Sequence, residues 1–113
     1  MMDCIFCRIA GGEIESNILY QDDQVIAFPD INPNAPVHIL VVPLKHIESL
    51  VDLTASEEPL MGHMRAVANR LARDAGVSQK GYRLVVNCGP EGGQLVPHLH
   101  LHLLGGRKMG SLG

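Results

Sequence analysis

The spacing of apolar and polar positions changes several times along this chain, and each change marks an element. Ile5, Phe6 and Ile9 share one helical face behind Asp3, a residue suited to an N-cap, and Gly11-Gly12 follow. A short helix through Ala10 is predicted. Ile18-Leu19-Tyr20 and Val25-Ile26-Ala27-Phe28 flank Asp22-Asp23 and predict a hairpin. The prolines of Pro29-Asp30-Ile31-Asn32-Pro33-Asn34-Ala35-Pro36 impose a rigid loop. Val37 to Pro43 is nearly all apolar, as expected of a central strand buried on both faces, with His38 its polar exception. Leu60, Met61, Met64, Val67, Ala68, Leu71 and Ala75 mark the buried stripe of a long helix. Thr54-Ala55-Ser56-Glu57 fits a capping box, Pro59 in the first turn favours Ser56 as the cap, and Gly76 stops the helix. Tyr82 to Asn87 reads as a strand, and so does His98 to Leu104. Short helix, three strands, long helix and two strands predict one α+β domain over residues 1–113. Its centre is an antiparallel sheet of about five strands.

The last strand carries the chemistry. His98, His100 and His102 alternate with Leu99, Leu101 and Leu103, so the imidazoles share one face and the leucines the other. At a strand rise of about 3.3 Å per residue, neighbouring rings stand roughly 6.6 Å apart, room for one phosphate group. The preceding Gly89-Pro90-Glu91-Gly92-Gly93-Gln94 is a loop whose glycines let backbone N–H groups approach a ligand. A three-histidine metal site is the competing reading of the strand, but ligands in line along one strand splay rather than converge.

Composition narrows the partners. Of 113 residues 46% are hydrophobic, enough for a modest single core. The net charge of −3 and the lack of a basic run exclude a nucleic-acid polymer as the expected partner. No stretch is long and apolar enough to span a membrane, and Asp3, Cys4 and Arg8 interrupt any leader-like run. Three cysteines, an odd number, argue against a disulfide framework and for a reducing, cytoplasmic setting.

Taken together, the His-x-His-x-His motif followed by Leu103-Leu104 resembles the histidine triad (HIT) family. Nearly the whole chain is similar to its Hint branch, the purine nucleoside phosphoramidases. The similar segments are Cys4-Ile5-Phe6-Cys7-Arg8-Ile9, Phe28-Pro29-Asp30-Ile31, Ala35-Pro36-Val37-His38, Gly81 to Asn87, Gly92-Gly93-Gln94 and His102 to Arg107. The resemblance implies hydrolysis of a P–N bond between a purine nucleoside 5′-monophosphate and an amine. A neutral imidazole is a good nucleophile near pH 7. His100 would attack the phosphorus and form a nucleotidyl-histidine. His102 would bind phosphate and assist the leaving group, and His38 would orient the triad. Asn87 and backbone N–H groups at Gly93 and Leu95 would hold the phosphate oxygens. Asp30 would accept both ribose hydroxyls, and Ile5, Phe6, Ile9, Phe28 and Ile31 would enclose the base. The family's homodimer, joined through the long helix and a sheet edge, is expected too.

This chain departs from the family pattern at Leu95, where some relatives carry a serine, and at Pro97, where an aromatic is common. The tail also lacks a tryptophan-containing ending. Cys4-x-x-Cys7 with His46 and His98 supplies the donors of a Cys₂His₂ zinc site, similar to that of bacterial-type relatives. A redox pair and two packed thiols are the other readings of the cysteines. The alternatives to a phosphoramidase are a dinucleoside polyphosphate hydrolase and a non-enzymatic nucleotide-binding dimer.

Overall fold

The computed structural model describes residues 4–113. Helix α1 spans Ile5–Ala10, strands β1, β2 and β3 span Tyr20–Gln21, Val25–Pro29 and Val37–Pro43, and helix α2 spans Glu58–Asp74. Strands β4, Tyr82–Val85, and β5, Leu101–Gly105, complete a five-stranded sheet of order β1-β2-β3-β5-β4. Every neighbouring pair is antiparallel. Element order and fold class agree with the α+β expectation.

Central strand β3 explains the layering. Ile39 and Val41 face one side, where they join Met64, Val67, Ala68, Leu71 and Ala72 of α2 and Leu99, Leu101 and Leu103. Leu40 and Val42 face the other side and meet Cys4, Phe6, Ile26 and Phe28. The near-continuous apolar run of β3 therefore serves two cores, one under each helix. The functional side chains gather on the α1 side. The two layers are also tied at the hairpin: Asp22 accepts from the Gln24 and Val25 N–H groups, from Tyr20 and from half-buried His63 of α2, at 2.6–2.8 Å.

Local boundaries differ from the sequence expectation in instructive ways. Asp3 lies outside the described residues, and Cys4 occupies the N-cap of α1, its Sγ accepting from the Cys7 N–H at 3.4 Å. The long helix is entered through a 3-10 turn, Ala55–Glu57, so Ser56 is not its cap. Glu57 instead accepts from the Thr54 N–H at 2.9 Å, as the capping box requires. Ala75 lies beyond the last helical turn and is exposed, whereas Ala72 is buried.

The largest difference concerns β5, which begins at Leu101 rather than at His98. The register pairs Val41 with Leu101, and beyond it the ladder meets Pro43, which has no N–H to donate. The Leu99 N–H goes to Ile47 O at 2.6 Å, and the His98 carbonyl is taken by a side chain. His98 and His100 thus sit on irregular backbone leading into the strand.

Leu103 is fully buried on β5 and is paired with Ile39 of β3 and Leu84 of β4. Leu103→Ala is expected to lower the unfolding free energy by about 2–5 kcal/mol, measured by urea titration. A loss under about 1 kcal/mol would contradict this account of the core.

Candidate active site

A cavity of about 600 Å³ opens between α1, the β2–β3 loop and the start of β5. Two histidines line it, His100 and His102, and a third, His38, stands behind them; hydrogen bonds define the tautomer of each. His100 Nδ1 lies 2.6 Å from the His98 carbonyl. A carbonyl only accepts, so Nδ1 carries the proton and Nε2 keeps its lone pair. The Phe6 ring backs the imidazole in a T-shaped contact, the two ring centres 5.1 Å apart.

His102 and His38 form a directed chain. The Asn34 N–H donates to His38 Nδ1 at 3.0 Å, so the His38 proton sits on Nε2. That Nε2 donates to His102 Nδ1 at 2.9 Å, which places the His102 proton on its own Nε2. Among the described residues His102 Nε2 is the buried side-chain nitrogen without a hydrogen-bond partner. His102 lines the cavity. The result is a donor with nothing to bond until an acceptor enters.

Burial pushes His102 well below the usual histidine range, to about 4, with His100 and His38 adding to the effect and Asp30 opposing it. Burial also lowers His38, against the pull of the Asp30 carboxylate at 3.4 Å. Both rings are therefore neutral near pH 7, and the chain of single protons is self-consistent.

Behind the cavity Cys4, Cys7, His46 and His98 converge, their donor atoms all within 4.8 Å of one another. Cys4 Sγ is 3.2 Å and His46 Nδ1 3.1 Å from His98 Nδ1, and Cys7 Sγ is 3.3 Å from His46 Nδ1. Zinc bond lengths of about 2.3 Å to sulfur and 2.0–2.1 Å to nitrogen imply tetrahedral edges of roughly 3.3–3.8 Å. His98 Nε2 donates to Pro43 O at 2.9 Å, so its Nδ1 presents a lone pair to the other three donors. Asp30, His38 and His102 form a second close group. There the His38 Nε2 lone pair is absent, because the Asn34 N–H has forced the proton onto that atom.

A HIT domain model matches residues 11–109. The chain belongs to the HIT family. It is 46% identical over 110 residues to a purine nucleoside phosphoramidase of Escherichia coli, covering 97% of this chain and 92% of that protein. A histidine triad protein from Clostridium difficile superposes with a TM-score of 0.95 at 50% identity, covering 100% of this chain and 98% of the other. A HIT family hydrolase from Legionella pneumophila superposes at 0.93 with 45% identity, each chain covered to 96%.

Within this HIT fold most of the predicted residues meet. Ile5, Phe6, Ile9, Phe28, Asp30, Ile31, Asn87, Gly93, Leu95, His100 and His102 all line the cavity, with His38 one hydrogen bond behind. Phe6 and Phe28 are also core residues, whereas Ile31 is 84% exposed at the rim. His98 does not line the cavity, contrary to three imidazoles on one open face. The His100 and His102 ring centres are only 4.9 Å apart, because the irregular backbone before β5 lets the rings lean together.

One backbone donor needs correction. The Gly93 N–H is committed to Pro90 O at 3.1 Å, closing the turn that its φ of +81° makes possible. Among the described residues the Leu95 N–H has no protein acceptor, and Leu95 lines the cavity, so it is an available donor there. Gly92 is required for a different reason: a β-carbon there would collide with the Cys88 carbonyl. Sequence reasoning missed Asn34, whose role is a backbone N–H and leaves no trace in residue type. It also missed Ile14, Glu15 and Ser16, which line the cavity. Extending the predicted hairpin backward past Ile18 would have brought residue 16 toward residue 31.

Unfolding returns His38 and His102 to ordinary histidine affinities near 6.5, so the unfolded chain binds protons that the fold refuses. Stability is expected to fall as pH drops from about 6.5 toward 4, His102 alone contributing on the order of 1 kcal/mol per pH unit. Urea midpoints compared between wild type and His102→Gln isolate this term. Equal slopes over pH 7 to 5 would contradict it.

Proposed function

We propose that this chain hydrolyses purine nucleoside 5′-phosphoramidates. The observation that carries the reading is the His98 carbonyl bond, which leaves the His100 Nε2 lone pair free beside a cavity of nucleotide size. His100 Nε2 attacks the α-phosphorus as the P–N bond breaks, and the His98 carbonyl steadies the positive charge that the ring acquires. A phosphate anion beside His102 raises that ring's proton affinity, so His102 can carry the proton that the leaving nitrogen needs. Water then cleaves the nucleotidyl-histidine and releases the nucleoside monophosphate. The Asn87 side chain and the Leu95 N–H take the phosphate oxygens, and Asp30 takes the ribose hydroxyls. The 46% identity to an Escherichia coli purine nucleoside phosphoramidase supports the same substrate class.

In this reading Cys4, Cys7, His46 and His98 hold Zn²⁺. Burial and the neighbouring Cys4 raise Cys7 to about 11, so a bare cluster keeps that thiol protonated and a cation supplies what makes it a ligand. The ion would fasten α1 to the segment that carries the His98 carbonyl and contribute no chemistry to the substrate. The free cysteines suit a cytoplasmic setting, and no helix among the described residues is long and apolar enough to cross a membrane. A homodimer would use α2 and strand β4, which lies at the sheet edge and pairs only with β5.

Acid-quenched turnover of an AMP–amine conjugate is expected to give the mass of one nucleotidyl group on the peptide containing His100. His100→Ala should lose this adduct and at least about a thousandfold in kcat. Turnover without an adduct, or faster cleavage of a dinucleoside polyphosphate, would reject the reading. Metal analysis should find one zinc per chain, and Cys4→Ser with Cys7→Ser should abolish it and reduce thermal stability. Full zinc content in that double variant would reject the metal site.

A further inference from the structure

His100, His102 and Asn87 line the cavity, Asp30 stands 3.4 Å from the His38 ring that bonds His102, and the next residue, Ile31, is exposed at the rim. Tyr20 pairs with Ala27 and Gln21 with Ile26, and the Leu19 N–H donates to Ala27 O. That antiparallel direction carries the preceding residues, Ser16 and Glu15, toward Ile31 and Asn32, away from the histidines. Glu15 and Ser16 both line the cavity there. The same lining includes the apolar Ile9, Ile14 and Ile31 and the neutral amides Asn32 and Asn34, so Glu15 brings a carboxylate to a rim that is otherwise uncharged. Among the described residues neither side chain makes a hydrogen bond or ion pair, and Glu15 is exposed.

We propose that Glu15 makes this cavity selective for guanine over adenine, an inference that rests on the nucleotide reading above. A nucleotide with phosphate at the histidines and ribose at Asp30 projects its base toward this rim. A carboxylate is acceptor only. Guanine offers it two adjacent donors, N1–H and the 2-amino group, which match its two oxygens. Adenine offers one donor, the 6-amino group, beside the N1 lone pair, which repels the second oxygen. Hypoxanthine keeps N1–H and lacks the 2-amino group, so it falls between. Specificity then comes from a mismatch as much as from a match.

Calorimetric titration of the full chain with GMP, IMP and AMP tests this. Wild type should bind GMP about tenfold more tightly than AMP, with IMP between, the discrimination expected of a two-point contact at an exposed site. Glu15→Gln is the decisive variant. A primary amide presents one acceptor and one donor, the pattern that suits adenine. GMP should weaken by about fivefold while AMP holds or tightens. Equal affinity for the three nucleotides within twofold in wild type, or a uniform change in Glu15→Gln, would overturn this selectivity and leave the nucleotide reading intact. Failure of all three to bind would overturn both.

Discussion

The site depends on one hydrogen bond, from His100 Nδ1–H to the carbonyl of the residue two before it. An imidazole has two nearly equivalent tautomers, and only one aims a lone pair at the cavity. A bond to a carbonyl removes the choice, because a carbonyl cannot donate. The carbonyl is available only because the β3–β5 ladder has already ended. Had the strand pairing run on to His98, that oxygen would be an ordinary ladder acceptor. Pro43, without an N–H, sits where the pairing stops. The same proline's carbonyl holds His98 Nε2, so one residue ends the ladder and fixes the ring that follows.

From that bond the rest of the site can be ordered by what each proton is obliged to do. The Asn34 N–H determines the His38 tautomer, His38 determines that of His102, and His102 ends with an unsatisfied donor in the cavity wall. Such a donor costs stability in the free protein. It is kept where an acceptor is expected to arrive, and an anionic phosphate is a strong one. Burial keeps the His38 and His102 rings neutral, which preserves the one-proton chain between them.

Much of this was legible in the chain. Strand β3, helix α2, the hairpin and the leucine side of β5 follow from apolar periodicity alone, because burial on one face or two leaves a period in the residues. The gathering of Asp30, Asn87, His100 and His102 came from the family resemblance, since periodicity does not bring distant loops together. What escaped detection was backbone chemistry. The Asn34 N–H, the Pro43 carbonyl and the committed Gly93 N–H belong to no residue type. The strand start was misplaced by three residues for the same reason. Alternation of His98, His100 and His102 persists in sequence after the ladder that gives alternation its meaning has stopped.

Two close groups of ligand-type residues lie on either side of this segment, and their hydrogen bonds assign them opposite chemistry. At His98 the ring proton points outward to Pro43, so the lone pair faces two thiols and His46 and can join a tetrahedron. At His38 the outer nitrogen accepts from Asn34, so the proton points inward toward His102. A metal ion there would have to displace that proton and break the Asn34 bond. Both groups bring ligand-type atoms within 4.8 Å of one another. The direction of a single backbone hydrogen bond on the far side of each ring turns a lone pair inward in one group and a proton inward in the other, so the first presents its histidine as a ligand and the second as a donor.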